Sequence, residues 1–494
     1  MYYPSLKEFL QLSKQGNVIP VYKEINADLD TPVSAFLKIK KTAYSFLLES
    51  VEGQEKIARY SFLGTDPSLV FKSKGSSIEI CYPQENVTRC FTTGTDPLDE
   101  IKKIMRGFNA VPVKGLPRFY GGLVGYLGYD VVRFFEDIPD KNKDDLKLPD
   151  AFLFLTDTVL VFDHVNHTIK IVSNCLLPGD YRRFSQARKI RLYKEAVQKI
   201  EKVSRILSKP VVPALKLEPA GSAVVSTNIE KSRFQGIIKQ AKQHIKDGDI
   251  IQVVLSQRFE VHTKKYPFDI YRNLRSLNPS PYMFFLQFPE ATLIGSSPEI
   301  HVRCEDGLAQ IRPIAGTRPR GKTEREDKRL ERGLKDSVKE KAEHIMLVDL
   351  ARNDLGRVCR VKEVRVRELM AVERYSHVMH LVSEVEGRLN KKFDIYDLMR
   401  ATFPAGTVSG SPKIRAMEII DELENTRRGP YAGCVGYFSF SHNMDTCITI
   451  RTIVIKDGVA YVQAGAGIVA DSAPKREYLE TVNKAKALVL AIIK

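Results

Sequence analysis

The 494-residue chain is 43% hydrophobic and 28% charged, a globular composition long enough for two or three domains and unlike that of a disordered segment. Its net charge of +16 is spread along the chain beside 60 acidic residues and is not gathered with aromatics, which argues against nucleic-acid binding and suits a small dianionic ligand. No run approaches the roughly 18 apolar residues that span a bilayer, and the opening MYYPSLKEFL has no apolar signal core, so a cytoplasmic chain without membrane contact is expected.

Residues 1 to about 170 read as short strands broken by Gly, Asp and Pro, among them AYSFLLES at 43–50, ARYSFLG at 58–64 and AFLFLTDTVLVFD at 151–163. A basic amphipathic stretch from Arg182 to Leu207 predicts a helix. The Pro-, Gly- and Ser-containing stretch after it marks 211–228 as a linker between an N-terminal region, 1–210, and a second module, 229–494. That module mixes strands (IIQVVLSQRFEVH from 250, MFFLQF from 283, TCITIRTIVI from 446, VAYVQAG from 459) with helices near 230–246, 324–354, 412–424 and 474–493. Strand runs adjoin turns more often than they alternate with helices, which predicts an α+β fold with antiparallel sheets. The seven cysteines have neither zinc nor redox spacing, and reduced thiols are expected. Cys434 lies in AGCVG, where Ala432 replaces the first glycine of a nucleophile elbow, so no glutaminase nucleophile is visible.

GTRPRGKT at 316–323 has the spacing of a phosphate-binding P-loop, and IMLVD at 345–349 mimics the acidic strand that accompanies one. An ATPase is the resulting alternative. Two features oppose it: Pro319 removes an amide that the loop needs, and IMLVD lies in DSVKEKAEHIMLVDLARNDLG, a helix-forming stretch closed by Gly356. Glu340 and Glu343 on that helix, and Glu477 and Glu480 on the last, are each three residues apart and share a face. Such pairs are either solvated or a cage for a hard cation, for which Mg²⁺ is the choice in the absence of a Cys/His pattern. FPAGTVSGSPKIRAMEII at 403–420 runs a small-residue loop into a helix, with Ser411 as expected N-cap and Pro412 at its first position, and its free amides suit a carboxylate. Gly465 and Gly467 in QAGAGI let backbone approach a ligand closely, although a tight turn would read the same way.

Over roughly 225–490 the chain resembles the chorismate-binding family, which includes anthranilate, aminodeoxychorismate, isochorismate and salicylate synthases. The resemblance is carried, in order, by DIIQVVLSQR, GSSPEI, IRPIAGTRPRG, KAEHIMLVDLARNDLG, YSHVMHLVSEVEG, FPAGTVSGSPK, RRGPYAGCVGYF and QAGAGIVADSAPKREYLETVNKA. It implies large antiparallel sheets packed as a sandwich with flanking helices, and chemistry on chorismate. By resemblance Glu343 and Glu480 are direct Mg²⁺ ligands, with Glu340 and Glu477 outside them. Tyr431, Arg451 and Lys484, with the backbone around Gly316, Thr317, Gly465 and Gly467, grip the carboxylates. Glu299 is the general acid, Thr407 joins the catalytic set, His380 lies beside the reacting ring, and His377 has a structural role.

Two positions separate members of the family. Isochorismate and salicylate enzymes carry a water-activating lysine where Gln252 stands, and glutamine is no base, so a nitrogen nucleophile is expected. Aminodeoxychorismate synthases carry a lysine in P-I-K-G-T where Ala315 stands, so ammonia itself must attack and anthranilate is the expected product, with the aminodeoxychorismate enzyme as the near alternative. A separate glutamine amidotransferase subunit is the expected partner. Leu47, Glu49 and Ser50, with Asn278, Pro281, Tyr282 and Met283, match the family's feedback site for L-tryptophan.

Overall fold

A computed structural model describes residues 1–40, 43–50, 59–177, 179, 181–211, 224–375 and 378–494. His377 and residues 212–223 of the expected linker lie outside them. Among the described residues the strands form two sheets, every pair antiparallel within its ladder. In the first, Val18–Asn26, Thr168–Leu176, Thr158–Asp163, Tyr60–Thr65 and Ser45–Glu49 lead into Tyr282–Phe288, Ala291–Ser297, Thr452–Lys456, Val459–Ile468, Gln252–His262 and Val225–Thr227. In the second, Ile314–Pro319, Val378–Arg388, Leu308–Ile311, Ile300–Glu305, Met444–Ile448 and Cys434–Ser439 lead into Gly122–Leu127, Ala151–Thr156, Leu69–Lys74, Ser77–Tyr82 and Val87–Thr92. The expected α+β sandwich with flanking helices is what forms.

Both sheets run without a break from the N-terminal to the C-terminal half. The joints are Ser45–Glu49 against Tyr282–Phe288, with Glu49 opposite Met283, and Gly122–Leu127 against Cys434–Ser439, with Gly125 opposite Gly436. Alternation along each strand sends one set of side chains between the sheets and the other under the helices. Along Ser45–Glu49, Phe46 and Leu48 join the core between the sheets, while Leu47 joins a second core under the outer helices with Phe36, Phe268 and Leu274. The inter-sheet core is aromatic where the halves meet: Phe152 of the second sheet stacks on Phe288 of the first at 4.2 Å between ring centroids, and Phe46 meets Phe154 at 5.7 Å.

The structure divides several elements that the sequence suggests are continuous. AFLFLTDTVLVFD forms Ala151–Thr156 in the second sheet and Thr158–Asp163 in the first, with the chain crossing at Asp157. TCITIRTIVI divides in the same way on either side of residues 449–451. Hydrophobic patterning is blind to these crossings because both sheets bury similar faces. The 324–354 helix is two, Glu324–Lys335 and Val338–Gly356, because Ser337 caps the second by accepting from the Glu340 amide. Ser411 is not an N-cap: it pairs with Gln252 as a short strand, and Lys413–Leu423 starts after Pro412 with no side-chain cap. No helix among the described residues is long and apolar enough to cross a membrane.

The cross-sheet stack makes a direct prediction. Phe152→Ala removes a fully buried ring from the joint between the halves and is expected to cost about 3–5 kcal/mol in denaturant unfolding; a loss below about 1 kcal/mol would mean that the ring does not hold the sheets together.

Candidate active site

Two of the chain's crossings between sheets lie side by side. The first leaves Ala291–Ser297 and enters Ile300–Glu305, and Glu299 sits on it, 5% exposed. The second leaves Met444–Ile448 and enters Thr452–Lys456, and Arg451 sits on it at φ 50°, a left-handed conformation held by its surroundings. The Ile448 amide donates to Glu299 O at 3.0 Å, and the Ser297 hydroxyl donates to Ile448 O at 2.7 Å, so the crossings are stitched together. Burial pushes the Glu299 carboxyl up to about 8; the Thr407 hydroxyl, which donates to Oε1 at 2.8 Å, the Ile314 amide and the Lys484 charge oppose the rise only partly. Glu299 is therefore a protonated acid near neutral pH.

The floor beside it is the antiparallel pair Gln252–His262 and Val459–Ile468. A Cβ on Gly465 would lie 2.7 Å from the Tyr431 hydroxyl, so only glycine lets the ring lie over that strand. Lys484 Nζ donates to Gly465 O at 3.0 Å and pairs with Glu480 at 2.8 Å. Arg451 is in no ion pair with a described residue, and desolvation depresses its pKa, opposed by the charges of Tyr431 and Glu480.

A further wall comes from Ile314–Pro319 against Val378–Arg388, where the register slips between Ala315 and Thr317 and Gly316 takes φ 68°. His380 Nδ1 lies 3.0 Å from the Thr317 hydroxyl and 3.1 Å from Gly316 O. Burial lowers the His380 pKa, so the ring is neutral. Donation from Nδ1 to Gly316 O then leaves the lone pair on Nε2.

The helix Val338–Gly356 sets Glu340 against this wall beside Gly316 and Arg318, and Pro474–Ile493 brings Glu480 near enough to Glu343 to act on its charge. Burial raises the Glu343 carboxyl first, and the charges of Glu340 and Glu480 raise it further; Glu477 is raised by burial and by Glu480. Glu340 is held by Arg318 at 3.1 Å. No three acidic, His or Cys groups among the described residues converge as a finished metal cage. The crowding of hard oxygen donors, only partly relieved by Arg318 and Lys484, is of a kind that could hold a divalent cation.

Sequence reasoning singled out these residues, and the fold gathers all of them. It passed over Arg428, fully buried beneath Tyr431, whose Nε and Nη2 donate to Glu424 at 2.9 and 2.6 Å and whose Nη1 donates to Val408 O at 2.7 Å. Through Val408 it fixes the turn that carries Thr407. The only signal was the doubled arginine of RRGPY, which is indistinguishable in sequence from a solvated pair.

The P-loop reading fails on geometry. Gly316–Pro319 belongs to a strand, the Gly321 and Lys322 amides are taken by Asp327 Oδ1 at 2.8 Å and Glu326 Oε2 at 2.9 Å, and Asp349 lies in the helix Val338–Gly356. Those amides have no capacity left for a phosphate.

A cavity of about 60 Å³ opens between the sheets where the two halves meet. Glu49, Ser50, Pro281, Tyr282 and Met283 line it, with Arg118 and Arg303 at a polar end. Leu47 does not reach it, because alternation turns that side chain to the opposite face and Leu48 lines the cavity in its place. Asn278 is also outside the lining; its amide donates to Ser296 Oγ at 3.0 Å. Glu49 accepts from Tyr271 and pairs with Arg275 at 3.1 Å, while the Ser50 hydroxyl is buried with no partner among the described residues.

The sequence pattern of chorismate binding enzymes matches residues 44–490. Anthranilate synthase component 1 of Aquifex aeolicus is 51% identical over 99% of this chain and 97% of its own length, and that of Acetivibrio thermocellus is 48% identical over 100% and 99%. The crystal structure of anthranilate synthase component I from Streptococcus pneumoniae superposes with a TM-score of 0.77 at 36% identity, covering 94% of this chain and 98% of that one. The menaquinone-specific isochorismate synthase of Escherichia coli shares the fold, at a TM-score of 0.69 and 20% identity over 99% of both chains. The chain belongs to the chorismate-binding enzyme family, with the anthranilate synthase component 1 proteins as its relatives over its whole length.

Proposed function

We propose that the chain converts chorismate and ammonia to anthranilate and pyruvate, the step that commits chorismate to L-tryptophan. The observation that carries the reading is a buried, protonated Glu299 beside an uncompensated Arg451 and the Tyr431–Lys484 cluster. Arg451 and Lys484 neutralise and orient the substrate's two carboxylates, with Tyr431 donating a hydrogen bond. Glu299 gives its proton to the C4 hydroxyl, which departs as water while ammonia bonds to C2 and the ring double bonds shift. The neutral His380 then accepts the C2 proton as pyruvate leaves and the ring becomes aromatic. Glu343 and Glu480, with Glu340 and Glu477 outside them, would hold Mg²⁺, which would supply charge neutralisation for the substrate's carboxylates.

Ala315 offers no amine, so ammonia attacks directly and the product is the ortho isomer. With no glutaminase nucleophile in the sequence, glutamine serves only through a separate amidotransferase subunit in a cytoplasmic hetero-oligomer. The N-terminal region, 1–210, contributes the regulatory elements, with 211–228 as its link to the catalytic module, 229–494. L-tryptophan occupies the cavity between the halves, whose lining offers apolar faces for an indole and polar groups for its ammonium and carboxylate. Incubation of the pure chain with chorismate, ammonium and Mg²⁺ should yield anthranilate, identified by fluorescence and mass; a para-directed amino intermediate would move the protein to the aminodeoxychorismate branch.

Four variants test the parts. Because the acid form of Glu299 is present below its pKa of about 8, kcat/KM for chorismate at a fixed concentration of free ammonia should fall as pH rises through that value. Glu299→Gln should lose about 10²–10⁴-fold in rate together with that limb. Glu343→Ala or Glu480→Ala should abolish activity and calorimetric Mg²⁺ binding while leaving the unfolding midpoint within a few degrees; full turnover of either in excess EDTA would remove the metal assignment. Tryptophan should weaken apparent chorismate affinity about 5- to 150-fold, and Ser50→Phe, which fills the cavity, should keep turnover and lose that sensitivity; equal inhibition of both proteins would place the effector elsewhere.

A further inference from the structure

The strand Gly122–Leu127, which joins the second sheet across the seam, runs on through Gly128 into a short 3-10 helix, Tyr129–Phe134. This helix belongs to the N-terminal half, yet it meets the turn that carries Tyr431. The Tyr129 amide donates to Gly429 O at 2.7 Å, and Asp130 Oδ2 accepts from the Gly429 amide at 3.1 Å, so both backbone groups of that glycine are held from the other half. The approach is close: a Cβ on Gly128 would lie 2.9 Å from Gly429 O, and one on Gly433 would lie 2.1 Å from Leu127 O. The Arg428 guanidinium reaches both sides of this contact, 4.9 Å from the centre of the Tyr129 ring and 5.6 Å from that of Tyr431.

Gly429 takes φ 56°. Glycine has more backbone freedom than any other residue and Pro430 after it has a fixed φ, so whatever orients Gly429 orients Tyr431 two residues on. Tyr431 tolerates little play, because its hydroxyl rests on Gly465 where no side chain fits. Arg428, before the glycine, is anchored through its side chain, and Ala432, after Tyr431, donates its amide to Thr449 O at 3.0 Å. The Gly429 peptide between these anchors is held by Tyr129 and Asp130.

Ion pairing alone does not explain Asp130, which is 4% exposed. Its Oδ1 pairs with Arg133 Nε at 3.1 Å, but Arg133 already has Asp421 at 2.9 Å and Asp140 at 3.6 Å. A third carboxylate at one guanidinium adds desolvation cost and like-charge repulsion. What Asp130 adds is the acceptor for the Gly429 amide, a backbone donor that would otherwise be left unpaired.

We infer that Asp130 positions Tyr431 for chorismate by holding the Gly429 peptide, so that the N-terminal half takes part in substrate binding; the inference rests on the proposed grip of Tyr431 on a substrate carboxylate. Asp130 lies outside the gripping set and acts through the turn. A displaced Tyr431 loses its hydrogen bond to the substrate before and during reaction alike, so affinity falls while proton transfer from Glu299 is unchanged.

The test is steady-state kinetics of the full chain with ammonium and Mg²⁺, varying chorismate, on variants whose folding is checked by their unfolding midpoints. Asp130→Ala is expected to raise KM for chorismate about tenfold or more with kcat within about threefold. Asp130→Asn, whose amide oxygen still accepts from Gly429, should restore both values to near wild type. Asp130→Leu, branched like aspartate and without an acceptor, takes the place of the alanine variant if that one does not fold. A double-mutant cycle with Tyr431→Phe separates positioning from a general structural role: KM of the double variant should stay within about threefold of the larger single effect, because a misplaced hydroxyl has nothing left to lose. Effects that multiply, an unchanged KM in Asp130→Ala, or an equal loss in Asp130→Asn overturns the role of Asp130. An unchanged KM in Tyr431→Phe contradicts the proposed grip instead, and absence of anthranilate from the wild type contradicts the proposed function, so the failures are told apart.

Discussion

The packing of two sheets that share one chain is the constraint on which the rest depends. A sandwich of this kind needs the chain to pass from one sheet to the other, and each passage carries backbone amides and carbonyls that must be paired where no ladder exists. At residues 298–299 and 449–451 the two passages solve this by pairing with each other, through Ile448 N–H to Glu299 O and Ser297 Oγ to Ile448 O. The solution takes Glu299 out of water and sets Arg451 at φ 50°. The candidate catalytic groups and the groups that close the fold thus lie on the same short segments.

The site's electrostatics follow from that placement. Glu299 is kept protonated mainly by burial, while Glu343 is raised by burial and by its carboxylate neighbours. Arg451 is buried without a paired carboxylate among the described residues. Crowded acids thus lie on one side of the site, and a cation without a paired carboxylate among the described residues lies on the other. The seam between the halves is a second consequence: the strand Ser45–Glu49 that completes the first sheet also lines the cavity between the sheets, so a ligand there touches the joint that the catalytic strands share.

Much of this was legible in the sequence. The glutamate pairs at i, i+3 on two helices, the small-residue loop leading to Thr407 and the glycines at 465 and 467 each imply local geometry from residue type alone, and the ordered motifs assemble them into one site. The crossings were not legible: AFLFLTDTVLVFD and TCITIRTIVI each read as one apolar stretch, because a strand entering a different sheet keeps the same alternation. Leu47 was matched to the feedback site by resemblance; that it lies under the outer helices while Leu48 faces the cavity is a matter of register, which no local pattern fixes. Arg428 was missed because burial of an arginine depends on Glu424, Val408 and Val254 converging on it, which is a tertiary fact.

The central claim is that burial at a sheet crossing holds Glu299 in its acid form until about pH 8. Infrared difference spectroscopy of the carboxyl stretch across a pH titration, with Glu299→Gln as the reference, reads this directly. The account predicts a protonated-carboxyl band that is absent from the variant and disappears from the wild type only as pH approaches 8. Loss of that band in the ordinary carboxylate range, near pH ~4.3, would contradict it.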